Sequence, residues 1–189
     1  MNKSFLIQQL EAMQNAKRVN RERVAKIVVK NTELIPFLME LTFDATNKLS
    51  IKAAWTLEII CEQNLNLLVP YLDIFTQNIR NLTFDSAVRP ASKICNFLAI
   101  TYNFSKNNLV QNSLTKEQID NIIETGFDWM ISTHKVATKA YIMNALYLFG
   151  KNYNWVHEEL KLILEQNIPN GSAAYKARGK ITIALINNK

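Results

Sequence analysis

The chain has 189 residues, of which 48% are hydrophobic and 20% are charged, which is the composition of an ordinary globular protein with a sizeable core. Its four glycines and four prolines provide few turn residues for a many-stranded β fold. Apolar runs stay far below the roughly 20 residues that a membrane helix needs. The N-terminus also turns polar too early for a secretory signal, so we expect a cytoplasmic protein that does not associate with membranes.

The net charge of +6 is distributed unevenly along the chain. Residues 1–30 hold seven Lys or Arg against two Glu, residues 31–169 hold 11 against 14 acids, and residues 170–189 hold four and no acid. Both ends are therefore basic, while the middle is mildly acidic. This asymmetry fits a polyanionic partner, but it is also a common means of keeping a protein soluble.

The pattern of cysteines and histidines predicts no metal site and no cofactor. Cys61 and Cys95 both lie inside helical patterns, where we expect reduced, buried thiols. The chain has no CxxC pair, and His134 and His157 are too isolated to suggest metal ligation.

Apolar residues recur at helical spacing along almost the whole chain, which predicts one domain, residues 1–189, built from helices alone. The segment 105–114, rich in Asn and Lys, is expected to be a loop, and Gly150 is expected to close a helix. Four residues with side-chain oxygens are expected to cap first turns, Thr115 with the capping-box partner Gln118: Thr32, Asn66, Thr115 and Asn154. The ten helices are expected at about 4–15, 20–30, 33–43, 48–63, 67–79, 86–103, 116–131, 135–149, 155–166 and 172–186.

An internal repeat gives the strongest indication of architecture. Residues 32–38 (TELIPFL) match residues 66–72 (NLLVPYL) at an offset of 34, with a proline, an aromatic residue and a leucine in the same order. Each match is followed by a cation and a small residue, at 51–54 (IKAA) and at 88–91 (VRPA). The cation and small residue recur at 23–25, 139–140 and 176–177, which indicates about five helix pairs that bury their apolar faces by stacking.

These segments resemble the HEAT family of armadillo-type helical repeats, most clearly over residues 32–104. The first-helix proline at Pro36 and the hydrophobic-cation-x-Ala start of the second helix carry the resemblance, and residues 84–91 are similar. The resemblance implies an all-α, right-handed α-α superhelix, a solenoid of about five helix pairs. It also implies that the second helix of each pair lines a concave surface, which is the usual binding face.

A polar stripe follows the second helices at helical spacing and gives the candidate binding surface. In one interpretation it is a basic groove for phosphates or an acidic peptide, with the indole of Trp55 as a stacking platform. In the other, the cations that begin the second helices pair with Asp or Asn of a neighbouring repeat, and Trp55 is a core residue. Lys93 lies outside that ladder, so its reversal to Glu is expected to be thermally silent. The candidate binding residues are Arg23, Lys26, Lys52, Trp55, Arg89, Lys93, Lys139, Lys176 and Lys180.

The sequence favours a non-enzymatic binding module whose partner is a protein or an acidic peptide, with nucleic acid as the alternative partner. A more distant resemblance to HEAT-like alkylpurine DNA glycosylases would add base excision. That chemistry needs a carboxylate near the sugar bond, but Ile59 stands where the matching Asp would be, and Glu58 is a weak substitute. Glycine-rich phosphate loops, the G-x-S-x-G elbow and the H-E-x-x-H motif are absent from the sequence.

Overall fold

The computed structural model describes residues 1–105 and 108–188. Within these residues the chain forms eleven α-helices and no β-strand, which confirms the predicted all-α class. The chain divides into two compact units, residues 1–94 and 95–189. Among the helices that the structure describes, none combines the length and the apolar character that a membrane crossing requires.

The first unit is built around one buried helix. It contains α1 (Lys3–Glu11), α2 (Arg18–Lys30), α3 (Ile35–Thr42), α4 (Leu49–Gln63), α5 (Leu72–Asn78) and the first half of α6 (Asp85–Phe104). Helix α4 packs against α1, α2 and α3. Every residue from Thr56 to Cys61 is buried, so this stretch of α4 is covered on all sides and forms the centre of the core.

The second unit surrounds α9 in a similar way. It contains α7 (Leu109–Ser113), α8 (Lys116–Ile131), α9 (Val136–Phe149), α10 (Asn154–Asn167) and α11 (Ala173–Asn187), and α9 packs against α8, α10 and α11. Helix α7 lies within the segment 105–114 that the sequence predicts to be a loop, so that prediction is wrong for residues 109–113, while residues 106–107 lie outside the described part of the chain. The side chain of Asn108 accepts a hydrogen bond from the amide of Gln111, and Val110 is fully buried, which stabilises this short helix.

Some residues of the two sequence segments that match at an offset of 34 have the same burial in the first unit. Leu34 and Leu68 are buried at equivalent positions, as are Leu38 and Leu72, whereas both prolines of the repeat are exposed. Each segment begins with a 3₁₀ turn, Thr32–Leu34 before α3 and Leu65–Tyr71 before α5. The two prolines line one surface hollow of about 470 Å³, so the two segments lie side by side.

Among the predicted N-caps, the capping box of Thr115 is confirmed. Its amide donates to Gln118 Oε1 at 3.0 Å, and its Oγ1 accepts from the Gln118 amide at 3.2 Å. The other three predictions are wrong, because Asn154 is the first residue inside α10, and Thr32 and Asn66 lie inside 3₁₀ turns. A side-chain cap depends on the exact residue at which a helix begins, and the repeat pattern does not fix that residue.

Gly150 ends α9 as expected, but the need for glycine here does not come from the backbone conformation. Its φ of −59° lies in the right-handed region that any residue can adopt. A Cβ at this position would lie 2.0 Å from Cδ2 of His157, a buried ring that stacks on Tyr147 at 5.3 Å between centroids. His157 Nε2–H donates to the carbonyl oxygen of Tyr147 at 2.7 Å. The glycine therefore makes space for the His157 ring.

Two further expectations about packing are settled by burial. Both cysteines are free and buried, as predicted, and burial raises the pKa of each thiol. The small residue expected to pack at 176–177 is exposed, because Gly179 makes the close approach instead and lies against the side chain of Ile168.

Candidate functional site

The centre of the candidate stripe in the first unit is an ion-pair network rather than a free basic surface. Glu58, with 2% of its side chain exposed, accepts from Arg21 Nη1 at 3.2 Å and from Lys93 Nζ at 2.8 Å. Lys93 also bonds Glu62 Oε2 at 3.2 Å. Arg18 bonds both Glu62 and Glu22. The network, which we call the Glu58 network, joins α2, α4 and α6 and consists of Arg18, Arg21, Glu22, Glu58, Glu62 and Lys93.

The charges of the Glu58 network balance, since it holds three cations and three carboxylates. Burial alone would raise the pKa of Glu62, but hydrogen bonds and charge from Lys93 and Arg18 outweigh it and hold the pKa below its ordinary value of 4.5. Burial would likewise lower the pKa of Lys93, but the two glutamates raise it above 10.5. Both groups are therefore charged near neutral pH, and this surface is close to electrically neutral.

Two other cations of the stripe bind the end of α1. Arg23 Nη2 donates to the carbonyl oxygen of Gln9 at 3.0 Å, and Lys52 Nζ donates to that of Glu11 at 3.0 Å. The last carbonyls of a helix lack partners within the helix, and cations satisfy them well. Arg23 and Lys52 thus have a structural contact, but it is with carbonyl groups and not with the Asp or Asn side chains of the expected ladder.

Trp55 is a half-buried residue that connects two helices. Its indole Nε1–H donates to the carbonyl oxygen of Ser86, in the first turn of α6, at 3.1 Å. Of the remaining candidates in this unit, Lys26 and Arg89 are exposed.

In the second unit, a row of polar side chains crosses α6, α9 and α11, and sequence reasoning, which placed Asn96 in the polar stripe, missed Asn144 and Arg178. Arg178 Nη2 donates to Asn144 Oδ1 at 3.0 Å, and Asn144 Nδ2 donates to Asn96 Oδ1 at 2.6 Å. The available signal was Asn144 itself, a polar residue between the buried Met143 and Ala145. A half-buried amide in an apolar helix needs such partners.

One side of α11 exposes a largely apolar surface. Ile181 and Leu185 are 53% and 45% exposed, and the alanines beside them at helical spacing are exposed as well. Lys180 is exposed and Lys176 half-exposed on the same helix, which contains no acidic residue. We call this surface the α11 face; it consists of Ala173, Ala174, Ala177, Lys180, Ile181, Ala184 and Leu185.

The last candidate, Lys139, lines a surface hollow of about 220 Å³. Its Nζ lies 5.9 Å from the centre of the Tyr175 ring, and burial lowers the pKa of the ammonium group. We call this site the Lys139 hollow; its walls are His134, Val136, Lys139, Asn167, Asn170, Gly171, Ser172 and Tyr175.

Comparison with known proteins found no matching family model, curated protein or solved structure. Within residues 1–105 and 108–188, no three His, Cys, Asp or Glu side chains are grouped so that they could hold a metal ion. The sites described above therefore supply the basis for a functional hypothesis.

Proposed function

We propose that the chain is a HEAT-like solenoid, a right-handed superhelix of about five helix pairs. Four pairs of positions at an offset of 34 are buried in both segments, which supports a structural repeat. These pairs are 34 and 68, 38 and 72, 41 and 75, and 42 and 76. The polar contacts that join consecutive second helices within each unit support it as well. An experimental structure tests the proposal: successive pairs must rotate with one constant right-handed sense, and a closed helical bundle would contradict it.

The proposed function is non-enzymatic binding of an acidic amphipathic helix of a partner protein, and the α11 face carries this proposal. Ile181 and Leu185 offer apolar anchors, and the exposed alanines on the same side of α11 permit close approach of a second helix. Lys176 and Lys180 lie beside this surface without a competing acid on α11. A partner helix with leucines on one face and glutamates beside them would match both the apolar and the charged parts of this surface.

A synthetic peptide of that pattern, labelled with a fluorophore, tests the function by anisotropy. We expect saturable binding that weakens at least about tenfold in Ile181→Ser, because a central anchor of a helix interface contributes about 2 kcal/mol or more and about 1.4 kcal/mol corresponds to tenfold in affinity. Leu162→Ser is the matched control, since Leu162 is also 53% exposed but lies on α10 among acidic residues. Equal binding of a peptide with lysines in place of the glutamates, or equal losses in the two variants, would contradict the proposal.

Nucleic-acid binding is the second candidate, and one feature of α2 favours it. Arg23, Lys26 and Lys30 are exposed at i, i+3 and i+7 spacing, so they share one side of the helix. Phosphate contacts by these cations would make affinity for duplex DNA fall steeply with salt. Lys26→Gln combined with Lys30→Gln must then reduce both the affinity and the salt dependence, and DNA binding that is unchanged would remove this candidate.

Base excision is not part of the proposal. Glu58, the weak candidate carboxylate for it, is 2% exposed and bonded to both Arg21 and Lys93. A general base or electrostatic stabiliser must reach the scissile bond, and a carboxylate held in this way does not present itself to a substrate.

A further inference from the structure

The Lys139 hollow has walls from three parts of the second unit. Val136 and Lys139 come from the first turn of α9, Asn167 from the last residue of α10, and Tyr175 from the first turn of α11. The loop before α11 contributes Asn170, Gly171 and Ser172. Donor groups therefore surround the hollow on several sides instead of forming one flat row.

The electrostatics of the hollow are one-sided. Its walls carry the ammonium group of Lys139, the imidazole of His134, two side-chain amides and two hydroxyls, and they include no carboxylate. The ammonium lies over the Tyr175 ring, a side chain that is only 4% exposed, so part of its hydration shell is replaced by an aromatic surface. A cation in such a place is stabilised by an anion that supplies the missing oxygen contacts.

We infer that the Lys139 hollow binds the phosphate group of a small phosphorylated molecule. Tetrahedral oxyanions present oxygens in several directions, which suits donors on three sides of a hollow, whereas a carboxylate presents two oxygens in one plane. Planar carboxylates are matched best by arginine, but the cation here is a lysine, which acts as a point charge and commonly binds phosphate. The volume of about 220 Å³ leaves space for an organic group beside the phosphate.

The side chain of Ser172 already makes one hydrogen bond within the protein, so only part of its bonding capacity is left for a ligand. Its Oγ accepts from the Tyr175 amide at 3.3 Å and caps α11. The hydroxyl hydrogen stays available for donation to a ligand, since a capping serine uses only its oxygen as an acceptor. Lys139, Asn170 and Ser172 are thus the three groups that we assign to the oxyanion. This site is separate from the α11 face, so it goes beyond the proposed function.

Titration of the ¹⁵N-labelled protein with inorganic phosphate at constant ionic strength tests the site by NMR. We expect saturable shifts of the amides in residues 136–139 and 170–175, and no such shifts with chloride. Lys139→Met must weaken phosphate binding at least about tenfold, the loss expected for one charge-assisted contact in a small site. Lys116→Met is the control, because Lys116 is exposed and paired with Asp120. The affinity of this variant for phosphate must equal that of the wild type.

A second variant guards against a folding effect of Lys139→Met. Asn170→Asp changes an exposed loop residue without changing its size and places a negative charge in the hollow, so it must also abolish the saturable shifts. Acetate that binds as tightly as phosphate would overturn the assignment to phosphate. Shifts that rise linearly and spread over other lysines, or wild-type affinity in Lys139→Met, would overturn the site itself.

Discussion

The carboxylate of Glu58 is held by two cations whose side chains are themselves only 15% and 17% exposed. Removing one member of such a group leaves the others with a desolvation cost that nothing offsets. Glu58 therefore contributes to stability mainly because Arg21 and Lys93 depend on it, and the sequence position of Glu58 within an apolar stretch of α4 gives little sign of this role.

We predict that Glu58→Gln lowers the free energy of unfolding by about 3 kcal/mol, because Arg21 loses the carboxylate that it bonds in this network and Lys93 keeps only Glu62 there. Urea denaturation measures the change. Glu40→Gln is the control, since Glu40 pairs with Lys3 at an exposed position, and its expected cost is below about 1 kcal/mol. Lys93→Glu should also be destabilising, because it would face Glu58 and Glu62, and this replaces the expectation that its reversal is thermally silent. Equal stability of wild type and Glu58→Gln would contradict the network's role.

At Gly150 we predict that substitution by Ala costs about 1–3 kcal/mol, the range for overpacking, because the new Cβ would overlap the buried ring of His157. Gly179→Ala is a useful comparison, since its Cβ would lie 3.0 Å from the flexible Cδ1 of Ile168 and alanine favours a helix interior. Thermal unfolding of the two variants should show the larger loss for Gly150→Ala. The reverse order would mean that the His157 ring moves away easily.

At the scale of single helices, the N-termini of α8 and α10 differ: a side-chain cap precedes α8, whereas the cap predicted for α10 lies inside that helix. Thr115→Ala removes a capping box and should cost about 1 kcal/mol. Asn154→Ala should change stability by less than about 0.5 kcal/mol, because Asn154 already lies inside the helix and Tyr153 precedes it without a side-chain bond. Denaturant midpoints measure both, and similar losses would contradict the assigned start of α10.

At the scale of the whole molecule, acid should destabilise the protein. The pKa of Glu62 is lowered on folding, so its contribution to stability is present above pH 4.5 and is lost as pH falls through the folded pKa. The raised pKa of Lys93 contributes stability below pH 10.5 that is lost only as pH rises further. We therefore expect the contribution of Glu62 and Lys93 to the free energy of unfolding to be constant between about pH 6 and 8 and to decline below about pH 4.5.

Urea denaturation at a series of pH values measures this dependence. In Glu62→Gln the free energy of unfolding should be lower at neutral pH and should fall less steeply in acid, since one of the responsible carboxylates is gone. A decline of the same steepness in the variant would assign the acid sensitivity to other groups. Asp44 is one of them, because hydrogen bonds from Thr46 lower the pKa of its carboxyl group as well.

The sequence by itself determined the all-α class, the buried thiols and the approximate positions of ten helices. These follow from the spacing of apolar residues, which records which side of each helix must leave water. Only the tertiary structure decided which cations are paired with carboxylates of the protein and which line a surface where a ligand could bind. Lys93 and Lys139 look alike in sequence, but Lys93 meets two glutamates from α4, whereas Lys139 lines a hollow without a carboxylate. Whether a charge is neutralised depends on side chains that are distant in the chain, and the pattern along one helix does not contain that information.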